Sequence, residues 1–336
     1  MSLSAPDPST PDPSAATAAS SATDPSAATA ASAATAASPT GQQWTIAHGP
    51  HRATVVEVGG GLRTFTSDGT DVLAGYHADE QCRSARGQQL MPWPNRIRDG
   101  CYTSGGVEHQ LPITEVDKHN ASHGLVRWSA WELIEHRRTS LTVGMRLFPQ
   151  PGWDHQLTLR TRYLLDDSGL VVRVAACNVG EGTAPFGYGA HPYLSIGAAE
   201  VGRVRLRIPG RRWVEVDERS LPTAVRAVEG DPHDFRVERE VGDLVLDTAY
   251  SDLERDPDGR WRTRVTAPGS APATLWGDEA FPWVQVFTGL AHEGAAGAGI
   301  AVEPMSCPAD AFNSGESLHH LGPGEQWTGT WGIAVG

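Results

Sequence analysis

The sequence predicts an all-β protein, a large antiparallel β-sandwich. Three observations carry this. There are 37 glycines and 24 prolines among 336 residues, a share that favours turns over long helices. Several runs alternate apolar and polar residues with period two between Pro, Gly and Asp breaks, and segments with helical periodicity are scarce.

In chain order, residues 1–40 stand apart. They hold almost only Ala, Ser, Thr, Pro and Asp, with Leu3 the one large aliphatic, and the run from Asp12 to Ser20 recurs from Asp24 to Ser32. Such a segment cannot bury enough apolar area to offset its ordering entropy, so a disordered tail is expected. It lacks the positive start and apolar centre of a secretory signal. From Gln42 onward the texture is β. Leu157 to Leu165 alternates, Asp167-Ser168-Gly169 turns the chain, and Leu170 to Val179 reads as the return strand. Arg203 to Ile208 alternates basic and aliphatic residues and stops at Pro209-Gly210. The best helical pattern is His233 to Val241, entered at Asp231-Pro232, and Trp327 to Val335 alternates again. No shift in composition divides 42–336, so one domain is expected. It is much longer than an immunoglobulin-type sandwich of ~100 residues, so each sheet must be broad.

Charge and composition exclude several classes. The 40 acids and 27 bases give a net charge of −13, and no basic run stands out, which argues against a nucleic-acid partner. No run of ~18 apolar residues exists to cross a membrane as a helix. Lys118 is the only lysine, leaving little scope for Schiff-base chemistry. Cys82, Cys101, Cys177 and Cys307 form no Cys-x-x-Cys pair, so neither a structural zinc nor a redox dithiol is indicated. Four free thiols fit a reducing compartment and a cytoplasmic location. Phosphate-loop, nucleophile-elbow and zinc-protease motifs are absent. Gly294, Gly297 and Gly299 lead into the strand-like Ile300-Ala301-Val302 rather than a helix, which is not how a phosphate cradle is built. No cofactor and no metal are expected.

Five segments set polar residues in unusual surroundings. In Pro92-Trp93-Pro94-Asn95-Arg96-Ile97 two prolines hold the chain extended before Arg96, whose guanidinium can fork hydrogen bonds to neighbouring hydroxyls. Asn120-Ala121-Ser122-His123-Gly124 puts a histidine at a loop junction, and Gly187-Tyr188-Gly189-Ala190-His191-Pro192-Tyr193 surrounds another with backbone-specialised residues. Asp247 follows the apolar Leu244-Val245-Leu246, and Glu303 ends the apolar run Ile300-Ala301-Val302 before Pro304. A carboxylate at such a strand end is partly buried, which raises its pKa and suits it to accept a proton. A structural ion pair for Arg96, a hydrogen-bonded structural acid for Glu303 and solvated histidines are the plainer readings of each segment alone.

In this order the segments resemble the aldose 1-epimerase (galactose mutarotase) family: Asn-Arg-Ile, His-Gly, His-Pro-Tyr, an Asp near an aromatic, and Glu-Pro. The closing Asp310-Ala311-Phe312-Asn313 and Leu321-Gly322-Pro323-Gly324-Glu325 match as well, so the resemblance covers nearly all of 42–336. It implies a galactose mutarotase-like supersandwich and a small-molecule sugar substrate. It casts Glu303 as catalytic base and His191 as catalytic acid, with Arg96, His123 and Asp247 contacting the sugar. Three positions depart from the best-known mutarotases. Leu125 stands where a second glycine is usual, Ala190 where an asparagine commonly precedes the histidine, and Thr248 where the acid is often doubled. These bear on the preferred sugar. The intact Asn95-Arg96-Ile97 favours the free-sugar branch over the hexose-6-phosphate epimerases. Trp93 and Trp283 are candidates for stacking on a sugar face. Alternatives on the same residues are a glycoside hydrolase using Asp247 and Glu303, a non-catalytic sugar-binding module, and a zinc site of His123, His191 and Glu303.

Overall fold

The computed structural model describes residues 38–289 and 299–336. The segment read as a disordered tail lies outside them up to residue 37, as do Gly294 and Gly297. Residues 38–40 are described: Thr40 is buried, and the Ser38 hydroxyl donates to the Ala78 carbonyl.

Antiparallel strands dominate. A nine-stranded sheet runs Glu132–His136, Ser140–Leu147, Leu157–Asp166, Gly169–Asn178, Gln326–Val335, Ala273–Gly277, Trp261–Thr266, Arg205–Arg207 and Arg239–Glu240. The hairpin expected at Asp167-Ser168-Gly169 is present, with Leu165 opposite Leu170 and Asp166 opposite Gly169. Its alternation is what a sheet with one buried face requires: Leu157, Leu159, Thr161, Tyr163 and Leu165 are buried, while Arg160 and Arg162 are exposed. A second sheet of eight strands runs Pro222–Ala227, Gly210–Val216, Asp247–Leu253, Trp283–Phe287, Gly299–Met305, Gly189–Ala190 and Gln89–Leu90, with Tyr193–Ser195 also pairing Gly299–Met305. A four-stranded sheet begins at Gln43–His48.

One apolar cluster joins the two large sheets. Leu159, Tyr163, Val172, Trp331 and Ile333 come from the first, Val284, Val286, Ile300 and Val302 from the second. Strand Gly299–Met305 is buried at every position: its other face packs Met305 against Val214, Ala249 and Trp283 and Ala301 against Ala74 and Tyr193, which explains its near-continuous apolar sequence.

The segment His233–Val241 is not helical. Asp234 accepts hydrogen bonds from the Arg236 backbone N–H and guanidinium, a local turn that competes with a helical start. Phe235 and Val241 are buried while Val237 is 80% exposed, and Arg239–Glu240 adds an edge strand beside Arg205–Arg207. Val201–Arg203 forms a 3-10 turn, shortening the strand read from Arg203 to Ile208 to its three central residues.

Candidate active site

Strand alternation and ladder register build the site. Ile300 and Val302 turn toward the core, so Ala301, Glu303 and Met305 face the other side of the sheet. Glu303 stands opposite Gln285, and Gln285 opposite Ala249. Asp247, two residues before Ala249, shares that face. Across the other edge, Gly189 pairs with Met305 and Tyr193 with Ala301, which leaves His191 facing Glu303. His191 Nε2 lies 3.3 Å from Glu303 Oε1. Tyr193 stacks on the His191 ring at 5.0 Å between centroids.

A two-strand ladder supplies the next pair. Arg96–Arg98 pairs with Asn120–Ser122, and Arg96 faces Ser122. Asn95 and His123 both take left-handed backbone, φ 55° and 61°, and the His123 N–H donates to the Asn95 carbonyl at 2.7 Å. His123 thereby meets His191 edge-on, with ring centroids 5.5 Å apart. Gly124 also has positive φ, and a Cβ there would sit 2.0 Å from the Met91 carbonyl oxygen, so glycine is required. The Arg96 guanidinium forks onto Glu115 through Nε and Nη2 at 2.8 and 2.9 Å, and Nη1 donates to Asn95 Oδ1 at 3.1 Å. Asp247 accepts from Gln285 Nε2 at 2.6 Å.

All five residues read from the sequence thus converge on the face of the eight-stranded sheet turned away from the main core. Arg96 and Asp247, with Asn95, Gln285, Val214 and Pro308, line a narrow cleft. His123, His191 and Glu303 are not part of its lining, and His191 and Glu303 are only 6% and 2% exposed. Glu303 Oε2, His191 Nδ1 and His123 Nδ1 are nevertheless buried polar atoms without a hydrogen-bond partner. Each such atom costs roughly 1–3 kcal/mol, and a ligand rich in hydroxyls would satisfy all three.

Burial sets the proton inventory. It drives the Glu303 carboxyl well above the ordinary range; Asp247 adds to the rise and Arg96 opposes it. Burial pulls the His191 imidazole down to about 3, helped by the positive charges of Arg127 and Arg96. His123 is likewise depressed by burial, then by His191, Arg127 and Arg96. For Arg96 burial works against the charge, but the hydrogen bonds it donates to Glu115 and the nearby Asp247 and Glu303 outweigh it and hold the guanidinium charged. Burial therefore favours the neutral form of both partners, a protonated carboxyl and an uncharged imidazole.

Several contributors were not singled out in the sequence. Gln285 interrupts the apolar Trp283-Val284-Gln285-Val286-Phe287, a visible signal. Glu115 and Arg127 gave none, since each is one charge among many in a loop. Trp93 and Trp283 are buried, Trp93 edge-on against Phe312 and Trp283 donating to Ser317 Oγ, and neither lines the cleft. Thr248 is buried on the side of its strand opposite Asp247, and Ala190 belongs to the main core, so two of the three departures point away from the site. Among the described residues no three His, Cys, Asp or Glu side chains are arranged to share a metal ion, and no helix is long and apolar enough to cross a membrane.

Comparison with known proteins places the chain in a family. A family model described as aldose 1-epimerase matches residues 42–334. The chain is 35% identical to the uncharacterized protein YihR of Escherichia coli strain K12, over 85% of this chain and 91% of that protein. It is 28% identical to mouse galactose mutarotase over 46% of each. Among solved structures, a GalM/aldose epimerase homologue from Caenorhabditis elegans superimposes with a TM-score of 0.77 at 18% identity, covering 88% of this chain and 98% of that one.

Proposed function

The chain belongs to the aldose 1-epimerase family, and from that premise we propose that it interconverts the α and β anomers of a free aldohexose such as glucose or galactose. The observation that carries the proposal is the Glu303–His191 pair, 3.3 Å apart, with unpartnered polar atoms on both side chains.

Anomer exchange needs no net redox change. A proton leaves the C1 hydroxyl while another reaches the ring oxygen; the ring opens, the C1–C2 bond rotates, and the ring closes on the other face. One donor and one acceptor suffice, and their roles reverse on closure. A carboxyl–imidazole pair sharing one proton meets this need. With the proton on His191, Glu303 is the base and His191 the acid. Burial in the free protein favours the opposite placement. Sugar hydroxyls donating to Glu303 Oε2, together with the Arg96 charge, stabilise the carboxylate and shift the proton toward His191. Arg96 and His123 stabilise charge developing at the ring oxygen, and Asp247 accepts from ring hydroxyls. Because the two tips are shut from the cleft, the sugar must displace neighbouring side chains to reach them.

The test is a panel of freshly dissolved single anomers, α-glucose and α-galactose with hexose 6-phosphates alongside, followed by NMR. Accelerated equilibration of a free sugar is expected. Faster exchange confined to the phosphates would move the chain to the sugar-phosphate branch, and binding without acceleration would make it a carbohydrate-binding module.

A further inference from the structure

Although the sequence holds no basic run, strand alternation gathers arginines on the solvent face of the nine-stranded sheet. Arg160 and Arg162 project outward from Leu157–Asp166, and Arg173 from the neighbouring strand Gly169–Asn178; all three are exposed and line one groove. The register sets Arg162 directly opposite Arg173, with Arg160 two residues along the same face, ~7 Å away. Like charges placed directly opposite destabilise a sheet.

No ion pair among the described residues of the groove relieves that repulsion. Asp166 and Asp278 also line it, but neither is within ion-pair distance of the three arginines. Asp166 Oδ1 accepts from the Ser168 N–H and hydroxyl, and Asp278 accepts from the Ala280 and Thr330 N–H groups. Among the described residues Arg162 has only a long hydrogen bond to Ser140 Oγ at 3.5 Å, and none of the three arginines forms an ion pair. Farther across the same sheet the pattern differs: Arg262 contacts Asp256 and Asp258 at 2.6 Å each. An acidic protein thus keeps three guanidiniums without an ion pair on neighbouring positions of one sheet face.

We propose that this groove is a second binding site, on the sheet that does not carry Glu303 and His191, for a small divalent oxyanion of the phosphate type, free or as a phosphate monoester. Each guanidinium presents donors in a planar fork that matches paired oxygens of such an anion. Two negative charges placed among Arg160, Arg162 and Arg173 convert their mutual repulsion into attraction.

The experiment uses the full chain at low ionic strength. Calorimetry and thermal melting are recorded with sodium phosphate, with glycerol phosphate as the ester, and with sodium chloride at matched ionic strength. Phosphate should bind and raise the melting temperature where chloride does not. If only the ester does so, the occupant is an esterified metabolite rather than the free ion. R162Q and R173Q should each weaken binding at least tenfold, and without anion R173Q should melt higher than wild type. Equal shifts with phosphate and chloride, or an undiminished phosphate response in the R162Q/R173Q double variant, would overturn the proposal. The latter would also place any anion elsewhere on the protein.

Discussion

Glu303→Gln separates proton transfer from shape. The amide keeps the volume of the carboxyl and an oxygen to face His191, but it cannot exchange a proton. A general acid–base group typically contributes ~10²–10⁴ in rate, or ~2.7–5.5 kcal/mol of barrier, and turnover should fall by that factor. Stability should respond differently. Burial holds the Glu303 carboxyl above its unfolded value, so the native state binds that proton more tightly than the unfolded chain does. This contribution is fully present below the unfolded pKa of ~4.3 and is lost as pH rises through the folded value, at about 1.4 kcal/mol per unit of the shift. Glutamine carries no such dependence. The stability of the variant relative to wild type should therefore improve between pH 4 and pH 8, even as activity collapses. Polarimetry on fresh α-glucose and α-galactose reads the first effect, and urea denaturation at the two pH values reads the second. A variant turning over within a few-fold of wild type would remove Glu303 from the proton path. A stability difference independent of pH would refute the account of its burial.

The remaining expectations concern the groups around this carboxyl. The pH profile of kcat/KM should keep its acid limb well below the ordinary histidine range, because the His191 imidazole is depressed to about 3 and the pair keeps its single proton down to there; an acid limb near 6.5 would contradict the buried, neutral imidazole. The stability linked to His191 is fully present above ~6.5 and is lost progressively as pH falls toward its folded value of about 3, so wild type should lose stability across that interval more steeply than His191→Asn, measured by denaturation followed by circular dichroism. Glu115→Gln replaces a charged fork with weaker contacts; hydrogen bonds to charged groups are worth ~1.5–3 kcal/mol, so KM should rise roughly tenfold with a smaller change in kcat, and an unaltered KM would show that Arg96 is held without Glu115. Gly124→Ala forces a Cβ against the Met91 carbonyl at positive φ and should cost at least ~2 kcal/mol, seen as a lower Tm; an unchanged Tm would mean that the loop carrying His123 relaxes freely.

How far the sequence could be read depended on whether the signal was local. The hairpin Leu157–Asp166 to Gly169–Asn178 was legible because alternation and a Gly-containing turn are neighbours in the chain. His233–Val241 misled because the Asp-Pro entry resembles a helix start, while the competing bond that the Arg236 N–H donates to Asp234 depends on side-chain geometry. The five candidate side chains stood out by their backbone surroundings and by their order along a family pattern. Glu115, Gln285 and Arg127 matter through whom they touch: Glu115 reaches Arg96, Gln285 reaches Asp247, and Arg127 acts on two imidazoles. No spacing rule links those partners.

What the chain order determines by itself is the alternation: a strand with period two has a core face and an outer face wherever it is placed, and an all-β sandwich follows. Tertiary structure decided which outer faces meet. It set His191 across from Glu303 through two separate pairings with one strand, raised the carboxyl's pKa and lowered the imidazole's by excluding water, and aligned Arg162 with Arg173. Electrostatic energy depends on separation and surrounding dielectric, and neither exists until distant segments have packed.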